Sequence, residues 1–64
     1  MDWVLIGGKI REVRQSRGLF QSDMAKILGI SQPCYSCYES GKKSISFGKL
    51  KKICQVLDID IDEF

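Results

Sequence analysis

The 64-residue chain contains no histidine. Without an imidazole it lacks the usual general base of neutral pH, and no nucleophile has a recognisable base beside it. An enzyme is not expected. Size points the same way, because so short a chain buries only about 60% of its unfolded surface and has little room for a deep pocket. The three cysteines, Cys34, Cys37 and Cys54, cannot complete a four-ligand zinc site without histidine. A thioredoxin-like use of Cys34-x-x-Cys37 needs a strand–helix setting, and strand patterns are missing. No metal or cofactor is expected, and Cys54 reads as a small core hydrophobe. Long apolar runs are also missing, so nothing reaches membrane-spanning length. The opening residues, Met1 to Gly8, carry one acid and no base ahead of a short apolar run, which is not a signal peptide. A cytosolic (cytoplasmic) protein is the expectation. Repeats, low-complexity segments and linkers are absent, so residues 1–64 are read as one domain.

Charge is present but uneven. Residues 1–52 hold all ten Lys and Arg against four acids, a balance of +6, while residues 53–64 hold four acids and no base. A basic body with an acidic end suits a protein that turns one side to a polyanion, although ordinary solvated charge gives the same count.

Apolar residues recur at helical spacing. Trp3, Ile6, Ile10 and Val13 form a first stripe. Gly7 and Gly8 interrupt it and weaken helix there, so the regular part is expected to start near Ile6, with residues 1–5 as an N-terminal arm. Gly18 ends this helix and Leu19 plugs its exit. Phe20 stands where a second helix needs a polar cap. It is left to pack as a staple or lie exposed. Phe47, Leu50, Ile53, Cys54 and Leu57 mark a fourth helix capped by Ser46, with Lys49, Lys51 and Lys52 outward. Asp60 and Glu63 have capping-box spacing, which predicts a last short turn docking Ile61 and Phe64. The fold class is all-α, with five short helices.

The organising stretch is 21–41. Met24, Ala25, Ile27 and Leu28 belong to one helix, and Gly29 can supply its left-handed C-cap. Ser31 is an N-cap, Pro33 lies in the next first turn, and Tyr35 and Tyr38 share a face. Both tyrosines read as core, with hydroxyls reaching the rim. Helix, glycine turn, helix is a helix-turn-helix arrangement, whose second helix commonly enters the DNA major groove.

With these pieces in place the chain resembles the Cro/CI-type (XRE) helix-turn-helix family of bacterial and phage transcriptional regulators, from about Ile6 to Phe64. The likeness rests on four ordered segments. They are Ile10-Arg11-x-x-Arg14 with Arg17-Gly18-Leu19; Gln21-x-x-Met24-Ala25-x-x-Leu28-Gly29-Ile30-Ser31-Gln32; Tyr35-Ser36-x-Tyr38-Glu39-x-Gly41-Lys42; and Leu50-x-x-Ile53-x-x-x-Leu57-x-Ile59. The resemblance implies a compact lambda-repressor-like domain that binds double-stranded DNA in a sequence-specific way, as a repressor. It implies a palindromic operator and a homodimer joined through residues 57–64. It implies that Gln32 reads adenine and that Pro33, Ser36 and Cys37 face base edges, with Cys34 near the groove floor. It gives Gln21, Ser31, Ser40, Lys42 and Lys43 to the DNA backbone, and makes Arg14 and Glu39 a structural ion pair bracing the recognition helix.

Blander readings stand beside these. Gln32 could be a tolerated polar residue, and Lys42 and Lys43 solvated loop lysines. Lys49, Lys51 and Lys52 are read as a solvated face. The reading face is small and lacks Arg, Lys and Asn, so selectivity would rest on Gln32, methyl contacts and DNA shape. Rival functions are a protein-interaction module of antitoxin or coactivator type, and a thiol or metal sensor.

Overall fold

The computed structural model describes all 64 residues. Four α-helices run α1 Trp3–Ser16, α2 Gln21–Leu28, α3 Gln32–Ser40 and α4 Phe47–Leu57, and a single 3₁₀ turn at Ile61–Glu63 follows. The expected fifth helix is this turn. Asp60 caps it by accepting from the Asp62 N–H at 3.0 Å, and Glu63 contributes its backbone rather than a capping-box side chain.

The N-terminal arm expected over residues 1–5 is instead helix from Trp3 onward. The Asp2 carboxylate accepts from the Val4 and Leu5 N–H groups at 3.1 and 3.2 Å, satisfying two free donors of the first turn. That cap offsets the glycine pair. Gly7 is required by packing, because a Cβ there would collide with the Tyr38 and Glu39 carbonyls of α3.

Phe20 caps with its backbone alone. Its N–H donates to the Asp23 carboxylate at 2.8 Å, while its ring stays 72% exposed and staples nothing. The turn from α2 to α3 depends on Gly29 at φ 69°. Ser31 then accepts from the Cys34 N–H at 3.3 Å and starts α3. Asp58 ends α4 in the left-handed region at φ 57°, and Arg17 donates to the Leu57 carbonyl at 3.2 Å. A cation there also meets the negative end of the helix dipole.

The core draws on every helix. Ile10, Met24, Tyr35, Ile53 and Leu57 are fully enclosed, with Ile6, Ala25, Leu28, Tyr38, Ile45, Leu50, Cys54 and Ile59 around them. Complete burial of such aliphatic side chains contributes about 1.5–3 kcal/mol each. α1 packs on α3 and α4, and α2 packs on the same two helices. Ile61 and Phe64 lie half-buried against this core. Phe47, which shares the α4 spacing, is 71% exposed. Ile27 is also on the surface, at the solvent edge of α2.

Candidate nucleic-acid interface

α3 divides into two faces. Tyr35, Tyr38 and Glu39 point into the protein. Pro33, Ser36, Cys37 and Ser40, at three- and four-residue spacing, lie on the opposite side and are exposed or half-exposed. Gln32, the first residue of α3, is exposed. The four expected base readers therefore occupy the open side of one helix end.

What fixes that helix is a buried polar knot. Arg14 donates from Nε to Glu39 Oε2 at 2.6 Å and from Nη2 to Oε1 at 3.1 Å, a two-pronged pair linking α1 to α3. Arg14 Nη1 reaches the Leu19 carbonyl at 2.7 Å, which holds the α1–α2 connection. Gln21 Nε2 donates to Glu39 Oε1 at 3.0 Å. One carboxylate therefore gathers α1, α2 and α3. Burial alone would raise the Glu39 pKa. The hydrogen bonds from Arg14, and after them that from Gln21, outweigh it and hold the carboxyl below its ordinary value. The Arg14 pKa is raised by its bond to Glu39.

The tyrosine hydroxyls do not both reach the rim as expected. Tyr35 is wholly buried, and its hydroxyl has no hydrogen-bond partner of good geometry. Burial first, and the neighbouring Glu39 second, push its pKa far up, so it stays neutral. Tyr38 meets Tyr35 edge to face at 6.4 Å between ring centroids.

The residues expected at the DNA backbone are placed unevenly. Lys42 and Lys43 are exposed in the loop after α3, and Lys43 Nζ lies 3.5 Å from Cys34 Sγ. Ser31 is engaged as the α3 cap, and the Ser40 hydroxyl donates to the Cys37 carbonyl at 3.3 Å. Gln21 is half-buried, with one amide N–H committed to Glu39. Its role in the knot was not legible in sequence, since a glutamine opening a helix carries no sign of a carboxylate 18 positions away. The Lys43–Cys34 contact likewise spans nine positions and leaves no pattern. No three His, Cys, Asp or Glu side chains gather as a metal-holding group. No helix is long and apolar enough to cross a membrane.

The helix-turn-helix family profile matches residues 10–64. This chain belongs to the XRE-type helix-turn-helix family. An HTH-type transcriptional regulator of Bacillus subtilis, YqaE, is 34% identical over 53 residues, covering 83% of this chain and 46% of that protein. The antitoxin PezA of Streptococcus pneumoniae is 36% identical over 55 residues, covering 86% and 35%. A B. subtilis prophage-derived HTH-type regulator, YonR, is 33% identical over 58 residues, covering 91% and 54%. The XRE-type chain thus spans about a third to a half of these relatives' lengths. No solved structure matches it at comparable significance.

Proposed function

We propose that the chain is a sequence-specific double-stranded DNA-binding regulator that reads the major groove with α3. The observation that carries this is the two-faced α3. Its inner side is locked by the Arg14–Glu39–Gln21 knot, and its outer side presents Gln32, Pro33, Ser36 and Cys37 beside the basic Lys42–Lys43 loop. A reading helix must be rigid, because contacts to base edges depend on sub-ångström placement. Gln32 supplies the one side chain here able to grip adenine with two hydrogen bonds. Lys42 and Lys43 bind phosphate and set orientation, with Ser31, Ser40 and the free amide N–H of Gln21 adding to that grip. We assign it a repressor role, acting as a homodimer on a palindromic site in the cytoplasm, with residues 57–64 joining the copies. Half-sites then lie about 34 Å apart.

Selection from a random duplex library tests this. A palindrome should emerge, and Gln32→Ala should relax the preference at one position in each half-site. The likeness to PezA favours a second reading, a module that holds a protein partner. Failure of any duplex to be enriched, with only salt-sensitive weak binding, selects that second reading.

A further inference from the structure

Cys34 and Cys37 stand one turn apart in α3, and both are free thiols that are half-buried. Cys34 has a polar setting of its own. Lys43 Nζ donates to its sulfur at 3.5 Å. The Tyr38 hydroxyl neighbours the same sulfur. Burial first, and Cys34 next, push the Tyr38 pKa up, so the phenol keeps its proton. The Cys34 N–H is the donor that Ser31 caps, which sets the residue in the first turn of α3, at the positive end of the helix dipole. Cys54 gives a contrast within the same chain. It is 5% exposed, and burial, then Asp60 and Glu63, push its thiol up.

We propose that Cys34 and Cys37 form a peroxide-reactive dithiol, in which Cys34 attacks the peroxide and Cys37 closes a disulfide onto it. The Lys43 cation decides for this chemistry over a metal. It repels a metal ion from the sulfur, and it attracts the negative charge that builds on the oxygen leaving a peroxide. In the first step the Cys34 thiol gives its proton to water and its sulfur attacks a peroxide oxygen. The S–O bond forms and the O–O bond breaks. The departing hydroxide takes a proton from Lys43, which regains one from water. Cys34 has lost two electrons and is a sulfenic acid. The Cys37 sulfur then attacks the Cys34 sulfur, the S–S bond forms, the S–O bond breaks, and the hydroxyl leaves as water with the Cys37 proton. Residues one helical turn apart hold their Cβ atoms about 5–6 Å apart, whereas a disulfide needs about 3.5–4.5 Å. The bridge therefore draws the turn from Cys34 to Cys37 out of regular helix. Tyr35, in the core, and Ser36, on the outer side, lie inside that turn. Oxidation thus displaces Ser36 and Cys37 from the groove. That consequence rests on the proposed DNA reading, and the thiol chemistry does not.

The test treats the reduced 64-residue chain with hydrogen peroxide at neutral pH, without DNA, and follows each thiol by alkylation and mass spectrometry. The expected product is a monomer lighter by two hydrogen atoms, with Cys34 bridged to Cys37 and Cys54 still a thiol. Cys37→Ser should stop the reaction at a Cys34 sulfenic acid that a 1,3-diketone traps. Lys43→Gln should slow loss of the Cys34 thiol about fivefold, the effect of one unit charge at that range in water, and Lys43→Arg should restore most of the rate. The proposal is overturned if Cys34 reacts no faster in the folded chain than in urea, if Lys43→Gln leaves the rate unchanged, or if the disulfide joins two chains. Half-site binding is measured before oxidation, after it, and again in reductant. Loss followed by recovery supports the link to the reading face, and an affinity that oxidation leaves unchanged overturns it. A reduced chain that forms the bridge yet binds no duplex keeps the dithiol and removes the DNA reading.

Discussion

Replacing Arg14 by methionine strands a buried anion. The Arg14 and Glu39 side chains are only 8% and 2% exposed, so neither charge has water to fall back on. Removing one partner of a buried pair costs about 3–5 kcal/mol. A chain of this length has about 3–10 kcal/mol in total, so Arg14→Met should forfeit about a third or more of its stability at pH 7. Urea titration followed by helical circular dichroism measures this. The pH dependence separates the charge effect from lost packing. In the parent chain the Glu39 pKa lies below its ordinary 4.5. Stability from the ionised carboxylate is thus complete above about pH 4.5 and is lost as pH falls through the lowered folded value. In Arg14→Met the stranded carboxyl titrates above the ordinary value, so the variant gains stability as pH falls through that raised value. The gap between parent and variant should be widest at pH 7 and should narrow toward pH 4. Arg14→Met/Glu39→Leu should recover much of the loss, because an apolar pair of similar volume often replaces a buried ion pair without cost. A loss under about 1 kcal/mol, or a gap that is the same at both pH values, would refute the role given to the knot.

Other expectations follow from single contacts. Gly7→Ala drives a methyl group into two α3 carbonyls that cannot yield cheaply, and should lower stability by about 1–3 kcal/mol or more in the same urea assay. Phe20→Ser supplies the side-chain acceptor that α2 lacks while removing an exposed ring, and should stabilise by about 1 kcal/mol by thermal unfolding. Lys43→Ala should weaken DNA binding evenly across sequences and reduce the slope of log affinity against log salt by about one unit, read by fluorescence anisotropy. If DNA affinity is unchanged between reductant and mild oxidant, Cys34 and Cys37 form no switch on the reading face.

Much of the fold was legible because the chain punctuates itself. Gly18, Gly29 and Gly41 all take positive φ at helix ends, and Ser31 and Ser46 cap the helices that follow. These are local decisions made by residue type. The errors came where a remote or backbone contact outweighed local propensity. Gly7 and Gly8 argued against helix near the N-terminus, yet the Asp2 cap and the fit of Gly7 on α3 keep it helical. Phe47 fits the α4 stripe by spacing, yet it is 71% exposed. Tyr35 lies too deep for its hydroxyl to reach water, which spacing alone cannot reveal. The outer face of α3 was readable because helical periodicity sorts its residues. The sharing of Glu39 between Arg14 and Gln21 was not, since it joins three helices through side-chain reach.

The most direct test of α3 as the reading element is an NMR titration of the labelled chain with the selected duplex. The largest backbone shifts should fall on Gln32 to Cys37 and on Lys42 and Lys43, and they should shrink at Gln32 when its preferred base pair is changed. Shifts confined to Lys49–Lys52 or to residues 57–64, with α3 unmoved, would contradict the assignment.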